Sequence, residues 1–139
     1  MMMELFVSIV TQMRVFRNIT PFFTDERGVI SKILESELPI QSILRITSTK
    51  GSVRSNHYHK HDTHWCYVLS GRMEWHEISQ EGDETEREIL MPGDMVETPP
   101  MMIHAARALE DSEFLAFSTE TRGHDAYEED TVRVLLIPL

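Results

Sequence analysis

Cysteine is nearly absent from this chain. The single Cys66 allows no intrachain disulfide, so nothing argues for an oxidising compartment and a cytoplasmic location is expected. Positive charge is also scarce, with 13 Lys and Arg against 23 Asp and Glu and a formal net charge of -10. Such a surface repels the phosphate backbone that dominates nucleic-acid affinity, so a nucleic-acid partner is not expected. Long hydrophobic runs are lacking too. The opening MMMELFVSIVTQM is apolar, but it is short for a membrane span, carries Glu4 where a leader would be basic, and has no clear small-residue cleavage site. Neither a membrane partner nor a targeting signal is expected. No segment sustains a helical period, and no internal repeat or low-complexity linker is present.

What remains is a globular balance of 41% apolar and 26% charged residues over 139 positions, enough for one domain that buries roughly two thirds of its unfolded surface. A single domain over residues 13–139 is expected. Residues 1–12 either precede a physiological start at Met13 or form an edge strand exchanged across a dimer. Short alternating or apolar stretches separated by turn residues predict an all-β domain with strands near 13–19, 29–34, 42–48, 53–59, 64–69, 72–78, 86–90, 94–98, 103–108, 114–118 and 131–137. Ser70-Gly71, Glu81-Gly82-Asp83, Pro92-Gly93-Asp94 and Arg122-Gly123 supply the turns. Glu35-Ser36-Glu37 followed by Leu38-Pro39 interrupts the early strands.

The densest chemical signal is HYHKHDTHW at residues 57–65, where His57, His59, His61 and His64 fall within eight positions. On a strand, side chains alternate, so His57 and His59 share a face and Tyr58 takes the other. A turn at residues 60–63 then returns His64 to the same face, followed by Cys66 and Val68. Neutral imidazole is a common metal ligand near neutral pH, and neighbouring strands fix several nitrogens without ordering separate loops. His104, after Pro99-Pro100 and at the head of another apolar strand, is the fourth candidate. His61 reads as a turn residue, and His76 and His124 as surface or hydrogen-bonding histidines.

Two stretches, GSVRSNHYHKHDTHWCYVLSG at 51–71 and GDMVETPPMMIH at 93–104, resemble the two motifs of the cupin superfamily. The resemblance implies a single-domain cupin jelly-roll β-barrel with a metal inside. By position it implies His57, His59 and His104 as ligands, with His64 where the family pattern has Glu. Met101 stands where the second motif commonly has Gly, and Ala108 where it often has Asn. The implied cofactor is a divalent transition metal: Fe, Mn, Ni or Zn. Four neutral imidazoles leave the full charge of such an ion to act on water or on a substrate, which favours anions.

A shorter likeness, RSNHYH at 54–59, is similar to a stretch of deoxysugar-nucleotide 3,5-epimerases, and small metal-binding cupins of surface-polysaccharide pathways share Asn-His-Tyr-His. It implies that Arg54 touches a nucleotide diphosphate and that His57 takes a proton beside a ketone, in an isomerisation or epimerisation of a carbohydrate-like substrate. A metal-bound His57 cannot also serve as that base, so with a metal polarising the keto oxygen Tyr127 or Glu97 is expected to move the proton. An iron-dependent dioxygenase and a non-catalytic cupin that binds a metal or small ligand are the alternatives. The partner is then a small molecule, and the chain is expected to form a homodimer. Asp62 and Glu74 are further acid–base candidates, and Arg54, Tyr58, Trp65, Tyr67 and Trp75 either frame a pocket or fill a core. The run Tyr127-Glu128-Glu129-Asp130 reads as solvated surface, unless the C-terminal segment folds back and Tyr127 caps the pocket.

Overall fold

The computed structural model describes residues 13–139; the expected extension or edge strand at 1–12 lies outside the described residues. The strands are β1 (Arg14–Phe16), β2 (Phe23–Asp25), β3 (Gly28–Ile30), β4 (Ser42–Ser48), β5 (Val53–His59), β6 (His64–Ser70), β7 (Met73–Ile78), β8 (Glu86–Leu90), β9 (Met95–Thr98), β10 (Ile103–Ala108), β11 (Ser112–Ser118) and β12 (Thr131–Arg133). Among the described residues, one helix, α1 (His124–Asp130), precedes β12. Two five-stranded antiparallel sheets, ordered β1-β9-β6-β11-β4 and β12-β5-β10-β7-β8, form the jelly roll, and β2 and β3 make a separate hairpin. No helix among the described residues is long and apolar enough to cross a membrane.

Alternation decides what each strand contributes. On β6, Cys66 and Val68 enter the core and Tyr67 turns away; on β7, Met73 and Trp75 enter while Glu74 and His76 do not. Val96, Ala106, Ala108, Phe114 and Ala116 complete the interior, with Leu44 and Ile46 packed against it. Part of this apolar filling also walls a chamber lined by polar side chains.

Two local irregularities shape that chamber. Ser55 and Asn56 have φ of 72° and 55°, and the β5–β10 register shifts so that His104 faces His57 while Ala105 faces Ser55. Asn56 is thus the extra residue of a bulge, a device that re-aims the following side chains. Its own side chain pins the C-terminal segment: Oδ1 accepts from the backbone N–H groups of Leu136 and Ile137, and Nδ2 donates to the Ile137 carbonyl. Met101 adopts φ 71°, the left-handed backbone that glycine takes without penalty, and its N–H donates to the His59 carbonyl at 2.7 Å. The loop expected from the Gly position is therefore formed by Met.

Candidate functional site

The bulge, the turn after β5 and the head of β10 bring four imidazoles together. Ring centroids lie 4.5 Å apart for His57 and His59, 4.8 Å for His57 and His104, 4.7 Å for His64 and His104, and 5.5 Å for His59 and His64. All four are buried. One ligand atom from each of His57, His59 and His104 falls within 4.8 Å of the others, and a second group of that size is His59, Asp62 and His64. The rings line a cavity of about 270 Å³, with His57, His59 and His104 projecting from one sheet and His64 from the other, which also supplies the wall of Leu44, Ile46, Phe114 and Ala116.

Burial in this chamber favours uncharged imidazole. His57 is lowered to about 3, chiefly by desolvation and then by repulsion from His64, Arg133 and Arg122. His59 and His104 are lowered for the same first reason, reinforced by the neighbouring rings. Neutral rings keep a lone pair free for a metal.

Hydrogen bonds decide which nitrogen carries that lone pair. His104 Nδ1 lies 2.9 Å from the Met102 carbonyl, which only accepts, so the proton sits on Nδ1 and Nε2 is free. Thr131 donates its hydroxyl proton to the Tyr127 carbonyl at 2.5 Å and accepts from His59 Nδ1 at 3.2 Å, giving His59 the same tautomer. His57 differs, because its Nδ1 meets Arg133 Nη1 at 3.4 Å and the Tyr127 hydroxyl at 3.5 Å, both potential donors. His64 Nδ1 is buried with no hydrogen-bond partner and lies 3.5 Å from Asp62 Oδ2.

The other expected site residues separate. Tyr127, on α1, does return over the chamber, its ring 6.0 Å from His57 and 5.7 Å from His59. Arg54 stands at the exposed rim, with Nε donating to Ser48 Oγ and Nη2 to the Thr47 carbonyl, both at 2.8 Å. Glu97 is not with the imidazoles, which corrects the expectation that it moves a proton there. Val96 and Thr98 take the inward positions of β9, so Glu97 faces outward, accepting from Trp65 Nε1 at 2.9 Å and pairing with Arg14. It lines an outer groove of about 670 Å³ that none of the four imidazoles reaches. Cys66 lines the chamber, but burial pushes its thiol up to about 12 and keeps it protonated and unreactive.

Sequence reasoning missed Arg122, Asp130 and Glu77. Arg122 lines the chamber, donates to Asp62 Oδ2 at 2.9 Å and sits 5.1 Å from the centre of the Tyr127 ring. Asp130 ends the acidic run that reads as solvated surface, yet it is buried and accepts from the backbone N–H groups of His61 and Asp62. Burial tends to raise the Asp62 carboxyl, but His64, Ser118 and Arg122 outweigh it and hold that group below its ordinary value. No periodicity marks Arg122 or Asp130 as enclosed, and Glu77, although in step with Met73 and Trp75 on β7, is a residue type ordinarily read as surface.

Solved structures with the same fold include a sugar 3,4-ketoisomerase from Thermoanaerobacterium thermosaccharolyticum in complex with TDP, at 18% identity and TM-score 0.70, covering 87% of each chain. A 3,4-ketoisomerase from Helicobacter canadensis matches at 19% identity and TM-score 0.70, over 88% of this chain and 90% of that one. A dTDP-4-dehydrorhamnose 3,5-epimerase from Sulfolobus tokodaii matches at 23% identity and TM-score 0.63, over 78% and 70%. No curated protein matches the chain. The family model described as Cupin matches residues 17–133.

Proposed function

The chain belongs to the cupin family, and from that membership we propose that its imidazole chamber serves a metal-dependent isomerase or epimerase acting on a carbohydrate-like keto substrate. The observation that carries the metal half is the preset tautomer of His59 and His104, whose Nδ1–H groups are engaged by Thr131 and Met102 so that Nε2 is free. His57, His59, His64 and His104 would hold a divalent ion: Fe, Mn, Ni or Zn. Such an ion supplies polarisation of a carbonyl oxygen.

The remaining roles fall to the chain's own side chains. Tyr127 is the proton-moving group, because its hydroxyl is at the chamber beside His57 and its ring is fixed by Arg122. Arg54, braced by Ser48 and Thr47, meets the anionic part of the substrate at the rim. The aliphatic and aromatic wall excludes water from the sugar ring. The likeness to ketoisomerases and an epimerase supports the reaction class, and a homodimer, checked by sedimentation equilibrium, is the proposed assembly.

The test is metal analysis of the purified protein combined with incubation of nucleotide-linked keto sugars in deuterated water. Deuterium entering beside the ketone, without oxygen uptake, supports the reading. Oxygen consumption with bound iron favours a dioxygenase, and tight stoichiometric binding without turnover favours a binding protein. His57→Ala and His104→Ala are expected to lose the metal; unchanged content in both overturns the metal assignment.

A further inference from the structure

Three of the four rings have their Nδ1 atoms engaged or faced by a partner, and His64 does not. The nearest acceptor to its Nδ1 is Asp62 Oδ2, at 3.5 Å. Asp62 is 1% exposed, and its position is over-determined. Oδ1 accepts from Ser118 Oγ at 2.7 Å, from the Thr119 N–H at 3.0 Å and from Thr119 Oγ1 at 3.2 Å. Oδ2 accepts from Arg122 Nη2 at 2.9 Å and keeps one direction open, toward His64. With Oδ1 used by three donors, this carboxylate is poorly suited to bind a metal directly. It is well suited to act through the ring.

We propose that Asp62 is the positioning residue that makes His64 a metal ligand, by receiving its Nδ1 proton and so turning the Nε2 lone pair toward His59 and His104. The inference rests on the metal-binding reading given above. A carboxylate behind a ligating imidazole fixes its tautomer and raises its basicity, and loss of such a partner typically lowers metal affinity about 10- to 100-fold. Ser118, Thr119 and Arg122 are the fixtures that hold the carboxylate in place. Arg122 thereby ties the same carboxylate to the Tyr127 ring above the chamber.

The experiment titrates metal-free full-length protein with Co²⁺ against a competing chelator, reading both affinity and the visible absorption of the bound ion. Asp62→Asn is expected to bind about 10- to 100-fold more weakly, with an altered Co²⁺ spectrum. Asp62→Asn combined with His64→Ala is expected to bind no more weakly than His64→Ala alone. Leu90→Ala, in the apolar core and away from the chamber, is expected to lower Tm yet keep the wild-type affinity and spectrum. Should Asp62→Asn fail to fold, Asp62→Glu displaces the carboxylate by one methylene and is expected to give the same weakening. If a folded Asp62 variant binds Co²⁺ like wild type while His64→Ala binds weakly, the positioning role is overturned and the four-imidazole reading stands. If wild type takes up no Co²⁺, both fall.

Discussion

Glu77 is 2% exposed, and its Oε2 accepts from Trp75 Nε1 at 2.9 Å and Thr98 Oγ1 at 2.8 Å, while Oε1 has no partner. Desolvation pushes this carboxyl up to about 7, only partly offset by the Thr98 and Trp75 bonds. The folded protein therefore retains a proton that the unfolded chain releases near 4.5. Between those values the native state binds more protons, so unfolding becomes easier as pH rises and levels off above the folded value. A shift from 4.5 to about 7 corresponds to a loss on the order of 3 kcal/mol across that window. Because the depressed His57, His59 and His104 act in the opposite direction over the same window, the Glu77 contribution is read as a difference between variants. From about pH 5 to about pH 8, the urea-measured stability of metal-free Glu77→Gln should change more favourably than that of wild type, and equal changes would refute the assignment. Glu77 shares the inward alternation of Met73 and Trp75 on β7, but it was missed because a carboxylate at such a position is ordinarily read as surface. The four imidazoles were legible for separate reasons: His57 and His59 from strand alternation, His64 from the turn that follows, and His104 from its place at the head of the strand after Pro99-Pro100.

At the scale of elements, the turn between β5 and β6 is held from outside itself. Lys60 N–H donates to the Asp130 carbonyl, while the Asp130 side chain accepts from His61 N–H at 2.8 Å and Asp62 N–H at 3.3 Å. The end of α1 thus sets the spacing between His59 and His64. Asp130→Ala strands those backbone donors, and a cost of about 1–3 kcal/mol in urea-measured stability is expected. Metal affinity should fall with it. The bounds of β4, β5, β8 and β10 agree with the pattern of apolar alternation, since each lies between clear turn residues. β2 escaped notice because Phe23–Asp25 is too short to alternate visibly. α1 escaped because its seven residues, His124–Asp130, are too few to establish a helical period, and their acidity suggests solvent. β12 ends at Arg133, short of the expected 137, where Asn56 rather than a neighbouring strand takes over the backbone groups.

For the molecule as a whole, a chain of net charge -10 assembles a site in which burial holds His57, His59 and His104 uncharged, and a cation bound there is expected to stabilise the fold by mass action. At a free metal concentration about 100 times Kd the gain is about 2.7 kcal/mol. Calorimetry with and without a chelator should show a lower Tm for wild type on metal removal and no change for His104→Ala. An equal drop in both would place the responsible ion elsewhere. The order of the groups along the chain has its own consequence for biogenesis. All four rings have been translated by residue 104, whereas Tyr127, Asp130 and Thr131, which cover and orient them, follow later. On the metal-binding reading proposed above, the segment that completes the chamber is the last to be made, so the site reaches its closed form only once residues 124–133 have joined the sheets.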